Sequence, residues 1–534
     1  AYDASDTEND NLAIGYEAMT TNTAGGTHNV AIGNYAGDAI TSADYNVLVG
    51  FDAGGAINSG GSNVAIGHDT LKTNSTGINS TAVGRLALQA NTTGQENVAV
   101  GMQSLQANTT GNQNTAVGNY ALFTNTTATG NTAVGERALR LNTTGASLTA
   151  VGRYALTANT TASNNTAVGH EALAYNTTGA NNIAVGKSAL YTNVTTSSNV
   201  AIGHEALKVN IASNNTAVGN AAMIANTTGH SNVGVGHSAM VANTTGIQNV
   251  AVGMYALDAN TTGSYSTAVG YNALTAATTG GQNTAVGNSA LGQVTTAEGN
   301  TTVGNNAGGS ITTGTRNVAI GNGAYQGSDT ESDNIAIGAN AMNVNSAGGI
   351  NNTCIGSYAG DAITSGDNNC AFGHDVLTLT NAGSANIAIG TSALSANTTG
   401  GNNIAIGQNA MNHDIGTVDG DQNICIGTNS DTSATGSSNQ TVIGYNVSGN
   451  ANNSFVVGNG GTDSAILYGE TSISAPSDIR LKENINDSTA GLSFINDLRP
   501  VTYNWRKEKD IPEEMKTHVA GSEERYNNDN LNHG

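Results

Sequence analysis

Three carboxylates crowd the stretch Asp414-Ile415-Gly416-Thr417-Val418-Asp419-Gly420-Asp421. Acidic side chains interleaved with turn carbonyls form an all-oxygen donor set of the kind that takes Ca²⁺, although the EF-hand pattern is absent; the plainer reading is a solvated loop. Five of the ten histidines (His68, His170, His204, His237 and His374) each directly follow a recurring glycine. Three copies of one such His around a threefold axis could hold an ion; singly they are surface or interface residues, and no zinc spacing appears. Cys354, Cys370 and Cys425 are an odd number in a long chain, so they imply no disulfide framework, and their places in the repeat make them small core residues. No other unique carboxylate pair or triad stands out, and no activity on an external substrate is expected.

The elements that would position these side chains are set by composition. The chain has 534 residues, of which 70 are Gly, 5 Phe and 1 Trp; only 10% are charged. An ordinary enzyme of this length needs large side chains for its cores. Disorder calls for more charge and Pro than the 3 prolines here, and collagen for Gly at every third residue. A repeat that packs small residues close to the backbone remains. The net charge of −22 argues against nucleic acid or an anionic membrane as partner. No apolar run is long enough for a membrane span, and the N-terminus lacks both a Met and a signal pattern, which predicts a soluble fragment.

The string Asn-(Val/Thr)-Ala-(Val/Ile)-Gly returns 27 times between Gly15 and Gly458, at a mean spacing of about 17 residues. Counting from this signature glycine, Asn stands four places before it in 22 coils, and Leu or Met four places after it in 19. A second Asn often sits seven places after it, as at Asn125, Asn142 and Asn159. The pattern predicts an all-β solenoid, a thin parallel β-roll of 17-residue coils, each stacked at about 4.8 Å, on the order of 130 Å in all. Val/Ile and Leu ladders are expected inside, with Asn ladders satisfying the turns. The expected divisions are a lead-in at 1–10, the solenoid at 11–460, a neck at 461–476 and a separate segment at 477–534. That last segment holds 8 of the 16 Lys and Arg residues and the only Trp. It reads as an extended stretch, a short helix around 490–498, a strand at 501–505 and then a loop.

The repeat resembles the heads of trimeric autotransporter adhesins, the YadA-like left-handed parallel β-roll, whose coils are shorter. That resemblance implies left-handed winding and a homotrimer. The tail, Ser477-Asp478-Ile479-Arg480-Leu481-Lys482-Glu483-Asn484-Ile485 with Leu498-Arg499-Pro500-Val501-Thr502-Tyr503-Asn504-Trp505, resembles the start of the endosialidase-type intramolecular chaperone of phage tailspikes and tail fibres. This implies a trimerising, self-cleaving domain that cuts after Ser477, at the bond to Asp478, with Lys482 as the base that activates the hydroxyl. The family continues into a Gly-Phe-(Ile/Val)-Ala-Gln-Glu strand and a long helix that this sequence does not reach, so the expectation is a truncated α+β segment. Together these imply a phage tail fibre on the virion or outside the cell, a homotrimer that attaches to a host cell-surface receptor, glycan or protein, with no cofactor unless Ca²⁺. The alternatives are a bacterial surface adhesin or extracellular filament, and an ice-binding solenoid, for which the Thr/Val alternation is too irregular.

Overall fold

The computed structural model describes residues 10–21, 25–327, 329–344, 348–412, 420–460, 464–467, 502–503, 520, 522–523 and 532–533. The chain divides into a unit at 1–473 and a second at 474–534.

The first unit is a parallel β-solenoid. Its strands run from β1 (Leu12–Ile14) to β27 (Ser454–Asn459), one per coil, and up to β25 (Ile424–Ile426) each is the three residues before a signature glycine. Successive strands pair parallel with equivalent residues in register, as Thr115↔Thr132, Ala116↔Ala133 and Val117↔Val134. Among the described residues 26 such parallel steps connect β1 to β27, and no helix is present. After them β28 (Ser464–Leu467) pairs antiparallel with β27 and ends the parallel ladder.

The signature glycine is required twice over. Gly135 has φ +133, and a Cβ there would sit 2.6 Å from the Gly152 carbonyl oxygen of the next coil. Beyond it the backbone alternates right- and left-handed residues: Arg137 and Leu139 take φ 60 and 51. Left-handed backbone costs a non-Gly residue about 1 kcal/mol or more. The cost is offset between coils, because the Arg137 N–H donates to Asn119 O at 2.9 Å and the Leu139 N–H to Ala155 O at 3.0 Å.

Two columns of fully buried Asn span the turns. The Asn131 N–H donates to Asn114 Oδ1 at 3.1 Å, and Asn131 Nδ2 donates to Gly145 O at 2.9 Å. In the second column Asn142 Nδ2 donates to Asn125 Oδ1 and to Gly145 O, both at 2.9 Å. One carbonyl per coil thus receives an amide from each column, and among the described residues only Asn260 Oδ1 and Asn397 Oδ1 of the buried Asn side chains lack a partner.

The core is thinner than expected. Ala133, Ala138 and Leu139, which are two before, three after and four after their glycine, are fully buried, and their equivalents form one cluster from Met19 to Val456. Val and Ile, expected inside, instead flank that Ala on the outward strand face. The reason is steric: the strand packs across a single Leu-sized layer, so that a Cβ on Gly234, which replaces the Ala, would lie only 3.0 Å from Met223 Cγ. A small residue faces in where Leu or Met fills the layer, Leu48 and Val442 taking its place in coils that lack them, and the strand's alternation turns the neighbouring Val and Ile out.

In the second unit Thr502–Tyr503 (β29) pairs antiparallel with Asn532–His533 (β30). The strand expected at 501–505 is therefore present in part, but its partner lies in the stretch read as a loop. The helix expected around 490–498 lies outside the described residues.

Candidate functional site

The outward strand face carries the residues three and one before each glycine, Thr, Val or Ile in nearly every coil. It stays open in a single chain: Ile183 is 41% exposed, Ile202 40% and Phe372 54%. One or two apolar side chains per coil, repeated coil upon coil, form a continuous strip far larger than the isolated apolar patches of monomers, and such a strip marks an interaction surface.

The opposite side is built from the residues after the glycine. Because the Leu four places after it points into the core against the strand, residues two, five and six places after it point out on the side away from the sheet. Over most coils these are small or polar. Over four coils they form a groove of about 370 Å³ with Arg140 and Leu141 at one end and Tyr175 and Tyr191 at the other. Thr157, Ala158 and Ala174 form its floor, and Tyr154 and Glu171 flank it. Glu136 is engaged by Arg153, at 3.2 Å, and by Arg137, at 3.8 Å. Arg140 lies with its guanidinium 6.0 Å from the Tyr120 ring centroid and makes no ion pair among the described residues, and its buried Nε has no hydrogen-bond partner. The Tyr175 and Tyr191 rings meet edge-on at 4.9 Å. The hydrogen bond to the Tyr175 hydroxyl, helped by burial and the Glu171 charge, pushes the Tyr191 phenol up to about 12.

Of the residues singled out in the sequence, Ser477, Lys482, Asp414 and Asp419 lie outside the described residues. Asp421 serves the backbone of the preceding coil, where its Oδ1 accepts the Gly401 N–H at 2.7 Å. It stands six places before a signature glycine, as do Asp44, Asp367 and Ser163, which accept from Thr27, Ile350 and Ala146 one coil back. This capping column was visible as a spacing but hidden by its variety of residue types. Among the described residues no three His, Cys, Asp or Glu gather as a metal group. Four of the five histidines after glycine pack on rings of adjoining coils, as His68 stacked on Phe51 at 5.1 Å and His374 edge-on to Tyr358 at 6.2 Å, while His204 lies beside Asn220. Cys354 and Cys425 are core residues as expected, and burial raises both thiols. Cys370 is not: it stands three before its glycine, on the outward strand face, and is exposed.

The groove was missed because side chains at those positions converge only once the turn segment is known to lie across the core. A compositional sign existed, since three of the eight Lys and Arg residues before 477, Arg137, Arg140 and Arg153, fall close together.

The family model for the chaperone of endosialidase matches residues 477–521. No curated protein matches the chain. No helix among the described residues is long and apolar enough to cross a membrane.

Proposed function

We propose that the chain is the subunit of a homotrimeric fibre, in which the solenoid forms the shaft and the 477–534 segment drives three chains together, and that the fibre serves as a phage tail fibre in attachment to a host cell surface. A β-solenoid followed by a segment matching the endosialidase chaperone fits a structural fibre with a trimerisation chaperone. The observation that carries the oligomer is the outward strand face: an apolar strip of this length needs a cover of equal length and repeat, and a second copy of the same chain supplies both. The same reading has Ser477 and Lys482 releasing the tail at the Ser477–Asp478 bond once the trimer has formed, the hydroxyl as nucleophile and the amine as its base.

Sedimentation of the full chain tests the trimer. The expected species has three times the 53.4 kDa chain mass, and a stable monomer at micromolar concentration would refute the reading. Intact-mass measurement on the same sample tests release, since a chain ending at Ser477 is expected and a persistent full-length mass contradicts it.

A further inference from the structure

We propose that the groove between Arg140 and Tyr175 binds a carboxylate-bearing saccharide. This deepens the attachment reading, on which its biological sense rests, by naming the ligand class and the residues that take it.

Arg140 makes no ion pair among the described residues of a chain of net charge −22, and the carboxylate of Glu136 is already held by two other arginines. Arg140 keeps its place through ring contact with Tyr120, while its Nε is buried without an acceptor. A guanidinium offers a planar fork whose match is a carboxylate, and the part of Arg140 that lines the groove is placed to take an external one. The remaining walls indicate what carries that carboxylate. Tyr175 and Tyr191 supply aromatic faces and hydroxyls, and Tyr175 is 52% exposed; Tyr154 is held by Arg137 and Arg153. The C–H faces of a sugar ring lie well on the negative face of an aromatic ring, and phenol hydroxyls bond to sugar hydroxyls. Glu171 on the flank would repel a polyanion but accepts a hydroxyl proton. One free cation, aromatic walls and a floor of Thr and Ala suit a single acidic sugar within a short oligosaccharide rather than nucleic acid.

The volume of about 370 Å³ lies within the range of small-ligand sites. Arg140 and Tyr175 are two coils apart, roughly 10 Å by strand spacing. The groove faces away from the strip that the trimer would cover, so each fibre presents it three times, and weak single contacts gain from being linked.

The shared chemistry, a ring-borne carboxylate, occurs in uronic and in sialic acids. Titration calorimetry of the full chain against trigalacturonate and against 3′-sialyllactose separates the two, with the methyl ester of trigalacturonate and lactose as neutral counterparts. At least one acid is expected to bind, with its neutral counterpart at least about tenfold weaker, as loss of a charged hydrogen-bond pair predicts. Arg140→Ala and Tyr175→Ala should each weaken binding about tenfold, Arg140→Lys should restore part of it, and Arg316→Ala, on another coil, should leave it unchanged. Failure of both acids to saturate the chain, equal binding of a neutral counterpart, or full binding by Arg140→Ala overturns the proposal. Sedimentation of the same samples keeps the two readings apart: a trimer that binds neither acid refutes only the groove, and a binding monomer refutes only the trimer.

Discussion

Replacing one asparagine in the second Asn column by alanine should cost far more in the middle of the column than at its end. Asn142 stands mid-column: its Nδ2 donates to Asn125 Oδ1 at 2.9 Å, and its Oδ1 accepts from Asn159 Nδ2 at 2.8 Å. Asn142→Ala strands one fully buried acceptor on Asn125 and one buried N–H on Asn159. Asn260 ends a run, because the next coil carries Ala277 in its place, and the Asn260 Oδ1 is already without a partner. Asn260→Ala removes that orphan and creates one on Asn243, whose Oδ1 now receives the Asn260 amide at 2.8 Å. The number of unsatisfied atoms is unchanged. Both substitutions leave a similar cavity and delete the same Nδ2 bond to a turn carbonyl, Gly145 O in one case and Gly263 O in the other. Those shared losses cancel in the comparison. The difference is one orphaned acceptor and one orphaned donor, about 2–4 kcal/mol together.

A long array of repeats opens locally, so hydrogen exchange is the proper assay. Amides of the coils around Asn142 should exchange about 30- to 1000-fold faster in Asn142→Ala, relative to wild type, than the coils around Asn260 do in Asn260→Ala. If the two changes agree within about threefold, interruption of the ladder is not what the substitution costs, and the account of the Asn columns is wrong.

Two further outcomes follow from the turn geometry and from the tyrosine pair. Gly135→Ala places a Cβ 2.6 Å from a backbone oxygen that cannot withdraw, whereas at Gly130 (φ +69) nothing lies within 4 Å of an added Cβ. The first should open its coil to limited proteolysis, and the second should cost about 1 kcal/mol, seen as a small shift in melting temperature. The Tyr191 phenol, raised to about 12 from its ordinary 10.0, keeps its proton in the folded state after the unfolded chain has lost it. Its contribution to stability is complete below pH 10 and is lost as pH rises from 10 towards 12. In an ultraviolet tyrosinate titration, Tyr191→Phe should delete that last step, and Tyr175→Phe should move it back towards the ordinary value.

The coil itself was legible in the sequence because its most demanding atom is one that glycine lacks: a Cβ at Gly135 or Gly152 meets the neighbouring coil's backbone, so the spacing is written in glycines. The Asn columns were legible for a similar reason, since a side chain that must bond to its own copy one coil away has few substitutes. The orientation of the strand was not. Alternation separates Ala133 from Val134 but does not say which faces in, and the larger residue was placed inside because most cores reward bulk; here the room is taken by Leu139. The capping role of Asp421 was hidden because Ser and Asp residues share it at the same place in other coils, a column of mixed letters. The groove was hidden further still, since Arg140, Tyr154 and Tyr175 belong to three coils and meet only through the stacking.

The ratio of chain to height in each coil has a mechanical meaning. Seventeen residues drawn straight span about 56–61 Å, yet in the stack they advance the structure by about 4.8 Å. A pull along the solenoid that peels away one coil therefore releases roughly 50 Å of slack. Since bonding is between neighbours, the coils beyond the next one keep theirs. Under tension such a stack behaves as a wound spool, yielding length in uniform increments from an end or from the coil that is most weakly held, with the remaining coils still in register.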